Sequence, residues 1–179
     1  REFQTLDDDR TTLLSIGAKP LGVASLADWD RWVVDPTMPE DVADIGSSWE
    51  VNFELLAALK PDLVLTTPYL EALRPKLETF ARVLSVPVYT GDGKPALPSA
   101  YAATRTVGDF LGMGAGAEAF LAEADALFSA CRQRLAGNRD RVLLINIMDP
   151  RHARIFGAPG LYHGVLERLG IGNAWKGVG

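Results

Sequence analysis

The sequence predicts an α/β fold: one lobe with a parallel sheet (residues 1–112), a long connecting helix (113–137), and the beginning of a second α/β lobe (138–179). Three observations predict it. Short apolar runs of strand type alternate with runs of helical period; residues 117–136 are Ala-rich with no internal Gly or Pro; and a strand-helix pattern begins again after Gly137. Alternation of this kind favours parallel pairing, because each return to the same sheet leaves room for a crossover helix.

In chain order, Asp7-Asp8-Asp9 precedes a helix from Thr11 to Ile16 that Gly17 stops. Carboxylates suit a helix N-terminus, and holding Mg²⁺ at a sheet edge is their alternative role. A strand is expected from Leu21 to Ala24 and a helix from Phe53 to Leu59. Lys60-Pro61-Asp62 ends that helix and launches the strand Leu63 to Leu65, since proline cannot continue a helix and biases its predecessor toward extended geometry. A helix from Leu70 to Phe80 and a strand from Val86 to Tyr89 follow, and Gly91-Asp92-Gly93-Lys94-Pro95 breaks the pattern. Tyr101, Thr104, Val107 and Phe110 then repeat with helical period up to Gly112, and the run from Gly112 to Gly116 separates this helix from the long one. Residues 117–136 make a helix of about five turns. Beyond it come strands from Val142 to Ile147 and Ala153 to Phe156 and a helix from Leu161 to Leu169. A core needs more layers than this remnant supplies, so the second lobe is expected to be incomplete.

Composition excludes several functions. An apolar content of 47% over 179 residues supports a buried core. A net charge of -5 with scattered Lys and Arg argues against nucleic acid, which wants a basic face. The lone Cys131 lies at helical spacing among Phe120, Ala124, Leu127, Phe128 and Leu135, so it reads as a small buried hydrophobe. No apolar run approaches the roughly 20 residues of a membrane span, and any export signal or lipid anchor is removed or lies outside the sequence. His152 and His163 are the only histidines and lack metal-ligand spacing, so the protein itself is not expected to hold a metal. Phosphate loops, dinucleotide fingerprints and nucleophile elbows are absent.

Two features remain as candidate sites. Asp149-Pro150-Arg151-His152 follows a strand and supplies either an acid, a base and an anion clamp for an α/β enzyme, or a polar turn. Trp29, Trp32 and Trp49 lie outside the regular pattern and Tyr69 follows a strand end, where α/β proteins bind ligands; core packing is the alternative for each tryptophan.

Pro20-Leu21-Gly22-Val23-Ala24, Trp32-Val33-Val34, Met38-Pro39, Asp44-Ile45-Gly46, Asn52-Phe53-Glu54-Leu55-Leu56 and Lys60-Pro61-Asp62-Leu63-Val64 together resemble the first lobe of periplasmic iron-siderophore and vitamin B12 binding proteins. Asp149-Pro150-Arg151-His152, Phe156-Gly157, Gly170-Ile171 and Asn173-Ala174-Trp175 resemble the ferric-hydroxamate branch more narrowly. The resemblance spans nearly the whole chain. It implies a bilobal class III periplasmic binding protein with a Rossmann-like first lobe, the ligand between two lobes, and the strut of residues 117–136 permitting only modest closure. It implies no enzyme and no cofactor: the ligand is a ferric siderophore that holds its own iron, or in a different branch of the family haem or cobalamin. Implied partners are an ABC importer permease and its ATPase. A monomer is expected, in the periplasm or lipid-anchored outside the cytoplasmic membrane.

Carried over by position, the resemblance implies ligand contacts at Trp32, Ser48, Trp49, Tyr69, Asn146, Met148, Arg154 and Trp175, and permease docking through Glu71 and Glu167. Several positions depart from the family. Its hydroxamate-binding arginine falls at Ser48, pocket tryptophans fall at Asp7 and Thr66, and Arg154 replaces an aliphatic residue. Arg154 is therefore expected to stand in for the missing arginine.

Overall fold

A computed structural model describes residues 3–5, 9–33, 35–47 and 49–178. The chain divides into two compact units, Arg1–Pro87 with Ala103–Glu118, and Val88–Ala102 with Ala119–Gly179.

The first unit is built on a five-stranded sheet of order β3-β2-β1-β4-β5, formed by β1 (Phe3–Thr5), β2 (Gly22–Val23), β3 (Ala43–Asp44), β4 (Leu63–Thr66) and β5 (Arg82–Ser85). Every pairing in it is parallel, as the alternation predicts. All four residues of β4 are buried, the mark of a strand covered on both faces. One covering layer holds α3 (Phe53–Leu59), a 3₁₀ segment (Pro68–Leu73) and α4 (Arg74–Leu77), and its core joins Ile45, Val51, Leu56, Val64, Leu70 and Leu77. Helix α3 starts where predicted because the Asn52 side chain accepts from the Leu55 N–H at 3.0 Å. It stops at Lys60, left-handed with φ 48°, ahead of Pro61. Helix α1 (Asp9–Ser15), a 3₁₀ turn (Leu26–Asp28) and a shorter α2 (Trp29–Trp32) also precede β3.

Two expectations shift here. The last strand runs over residues 82–85, not 86–89: Pro87 has no N–H for the ladder, so pairing ends once the Val86 N–H has reached the Thr66 carbonyl at 2.8 Å. A charged residue is tolerated at the start of β5 because the Arg82 guanidinium lies over the Phe110 ring, 4.7 Å from its centre. The expected helix from Leu70 to Phe80 is instead the 3₁₀ segment joined to the single turn of α4, with Pro68 and Pro75 removing amide donors on the way.

Helices α5 (Ala96–Leu111) and α6 (Gly114–Arg134) meet at Gly112-Met113 alone, so Gly114 and Gly116 are helical and not part of the separator. Gly116 is needed there: a Cβ would sit 2.7 Å from the Ile16 carbonyl oxygen. Cys131, expected to be buried, is half-buried on α6. Among the described residues no helix is long and apolar enough to cross a membrane.

The second unit contains the later part of α6, β6 (Arg141–Val142), β7 (Ile145–Ile147), β8 (Ala153–Ile155), α7 (Leu161–Leu169) and β9 (Gly172–Asn173). Helix α7 has the predicted bounds and closes on Gly170 at φ 76°, whose N–H reaches back to the Glu167 carbonyl. The expected strand from Val142 to Ile147 is two strands in two sheets. Val142 pairs with Asn173 in parallel, whereas Ile145 turns to Ile155 in an antiparallel hairpin, so the chain changes partner at Leu143-Leu144. The five residues between β7 and β8 are too few for a crossover, which forces the antiparallel pairing.

Candidate ligand-binding site

In the first unit the sheet order places the strand after β1 on one side of it and β4 on the other. The carboxyl ends of β1 and β4 thus mark a topological switch point, the usual binding place in such sheets. Tyr69 lies just past β4 and is 68% exposed. Thr66, at the end of β4, is fully buried, and its hydroxyl finds no hydrogen-bond partner among the described residues. Thr66→Val, which keeps the shape and removes the orphaned hydroxyl, is expected to stabilise the protein by about 1 kcal/mol. Thermal unfolding of the variant checks this, and a lowered midpoint would show the hydroxyl to be satisfied.

A second loop presents Trp49. Gly46 and Val51 form an antiparallel bridge, the Ser47 N–H donates to the Glu50 carbonyl at 3.2 Å, and the Glu50 N–H donates to the Ser47 hydroxyl at 2.9 Å. Gly46 is required at the base: its φ is 90°, and a Cβ would lie 2.4 Å from the Glu50 carbonyl oxygen. Trp49 stands 86% exposed at the tip. Trp29, grouped with it by sequence, is 2% exposed and donates its indole N–H to the Pro36 carbonyl at 3.1 Å; it is core. Trp32 ends α2, and its side chain lies outside the described residues, as do Asp7 and Ser48.

Glu71 projects from the 3₁₀ segment and pairs with Arg74 through both carboxylate oxygens. Arg74 also reaches Glu78 at 3.2 Å and the Val83 carbonyl at 3.3 Å. Hydrogen bonding to Glu71, then to Glu78, raises the Arg74 pKa above its ordinary value. The group remains net acidic, with two carboxylates to one guanidinium.

In the second unit Asn146 and Arg154 face each other across the β7–β8 hairpin, both exposed, and Met148 is exposed at its turn. The Asp149-Pro150-Arg151-His152 string is that turn. Asp149 accepts the N–H groups of Arg151 at 2.7 Å and His152 at 2.9 Å, and the His152 ring nitrogen lies 2.8 Å from it. The Arg151 amide first, then His152, lowers the Asp149 pKa. The carboxylate is spent on shaping an exposed turn, which is the polar-turn reading of these residues.

Trp175 follows β9 and is 39% exposed. Its N–H donates to the Asn173 side-chain oxygen at 2.9 Å and its indole N–H to the Val178 carbonyl at 3.3 Å. Glu167 is exposed on α7, 3.4 Å from the His163 ring. Asn173, part of the Asn173-Ala174-Trp175 motif, has a role that the resemblance does not supply. The signal was there: an asparagine two residues before a loop tryptophan is the spacing of a side-chain-to-backbone turn.

Residues 7–177 match the periplasmic binding protein family, and the chain belongs to it. Among its relatives, the iron(3+)-hydroxamate-binding protein FhuD of Escherichia coli (strain K12) is 32% identical over 167 residues, 92% of this chain and 55% of that protein. The chain therefore spans about half the length of this curated relative. The crystal structure of Fe3+-Desferal-bound siderophore binding protein FhuD from Vibrio cholerae superposes with a TM-score of 0.92 at 28% identity, over 97% of this chain and 67% of that one. Staphylococcus aureus SirA, 22% identical, shares the fold with a TM-score of 0.74, over 97% of this chain and 63% of its own.

Proposed function

We propose that this chain captures an iron(III)-siderophore complex of the hydroxamate type and delivers it to the permease of an ABC importer driven by its ATPase. It works as a monomer outside the cytoplasmic membrane, in the periplasm or lipid-anchored there. The likeness to the two FhuD proteins is the observation that carries the reading. The chemistry of the candidate residues supports it. A ferric hydroxamate centre presents electron-rich oxygens around an apolar frame. Tyr69, Asn146 and Arg154 supply donors, and Trp49, Met148 and Trp175 supply apolar cover; Trp32 and Ser48 complete the contacts. Glu71 and Glu167 dock on the permease. The siderophore holds the iron, no cofactor takes part, and the ligand leaves chemically unchanged.

Titrating the intact protein with ferric desferrioxamine, haem and cobalamin, followed by tryptophan fluorescence, tests the reading. Saturable quenching by ferric desferrioxamine is expected. Saturation by haem or cobalamin alone would overturn it.

A further inference from the structure

Asn173 is a buried polar side chain, 6% exposed, whose every amide atom is engaged. Its oxygen accepts the Trp175 N–H at 2.9 Å. Its nitrogen donates to the Phe156 carbonyl at 2.9 Å and lies 3.3 Å from the His163 Nδ1. A backbone N–H on one side and a backbone C=O on the other fix which way the amide points, because reversing it would set donor against donor and acceptor against acceptor. The other ring nitrogen of His163, Nε2, faces Glu167 at 3.4 Å. The Asn173 backbone is held as well: its carbonyl accepts from Arg141 at 2.9 Å, and the next N–H donates to Val142 at 2.9 Å.

Beyond this anchor the indole has little freedom. Its N–H is bound to Val178, and Gly177 lies against the ring so closely that a Cβ there would sit 3.0 Å from Cζ2. We infer that Asn173 is a positioning residue that sets the attitude of the Trp175 indole, and that Trp175 consequently meets its ligand as an apolar wall and not as a hydrogen-bond donor. The ligand half of this inference rests on the function proposed above.

A double-mutant cycle in the intact protein, with ferric desferrioxamine as the probe, separates positioning from general support of the fold. Asn173→Ala is expected to weaken binding about tenfold in the protein that has Trp175, and by less than about twofold where Trp175 is already Phe. Asn173→Ser keeps a side-chain oxygen that can accept the Trp175 N–H without setting a carboxylate against the Phe156 carbonyl, and is expected to restore part of the loss. In ligand-free protein labelled with 5-fluorotryptophan, the ¹⁹F resonance missing from Trp175→Phe should shift in Asn173→Ala and move back toward its original position in Asn173→Ser. Asn173→Leu, similar in shape and without hydrogen bonds, replaces the alanine variant if that does not fold. Equal losses with and without Trp175, or an unmoved resonance, would overturn the inference. If the unaltered protein does not bind ferric desferrioxamine, the proposed function falls with the apolar-wall role, and the fluorine resonance still decides whether Asn173 sets the indole.

Discussion

Arg154→Ala in the intact protein is expected to weaken ferric desferrioxamine binding by roughly 10- to 100-fold, the loss associated with charge-assisted hydrogen bonds to a ligand. The position makes the case. Arg154 is the middle residue of a three-residue strand, opposite Asn146, exposed, and without an ion-pair partner among the described residues. A guanidinium that no carboxylate of the described residues engages keeps its fork of donors for an oxygen-rich ligand. The residue lies on the hairpin surface with no part in the core, so its removal should leave the thermal midpoint nearly unchanged. Arg154→Lys should recover only part of the affinity, because an ammonium cannot present two parallel donors. Fluorescence titration gives the answer, and unchanged affinity in Arg154→Ala would remove this residue from the site.

Leu56→Ala is expected to destabilise the fold by about 2 to 5 kcal/mol, the range for emptying a buried leucine site. Leu56 is fully buried on α3, in the cluster that joins the helix to Val64 of β4 and to Leu70 and Leu77 of the following segments. A void there faces three further elements that cannot all relax at once. For a chain of this size the thermal midpoint should fall by roughly 5 to 15 °C. Denaturant and thermal unfolding both measure it, and a loss below about 1 kcal/mol would mean that the neighbours collapse into the gap.

Much of the fold was legible because single residues act locally. Lys60-Pro61-Asp62 punctuates α3 and β4 by backbone rules that need no tertiary context, and Gly170 marks the end of α7 in the same way. Other features depend on neighbours remote in sequence. Val142 to Ile147 is one apolar run to the eye, yet Val142 is claimed by Asn173 and Ile145 by Ile155. Periodicity carries no information about which strand will be the partner. Trp29 and Trp49 are the same residue in similar polar stretches; only the packing makes one core and the other a loop tip. Within the candidate site, Tyr69 was readable from its place after a strand end. The anchoring of Trp175 by Asn173 was not, because the Phe156 carbonyl that fixes the amide lies 17 residues away in sequence.

The bridge between Gly46 and Val51 has a consequence for how the protein can change over generations. Both feet of that loop stand on buried ground, Ile45 on one side and Val51 on the other, while the tip faces solvent. Exchanges at the tip thus leave the foundations intact, and new surface chemistry can be tried at position 49 with little risk to the fold. In a binding protein, such a loop is a place where surface contacts can change at little cost to the fold.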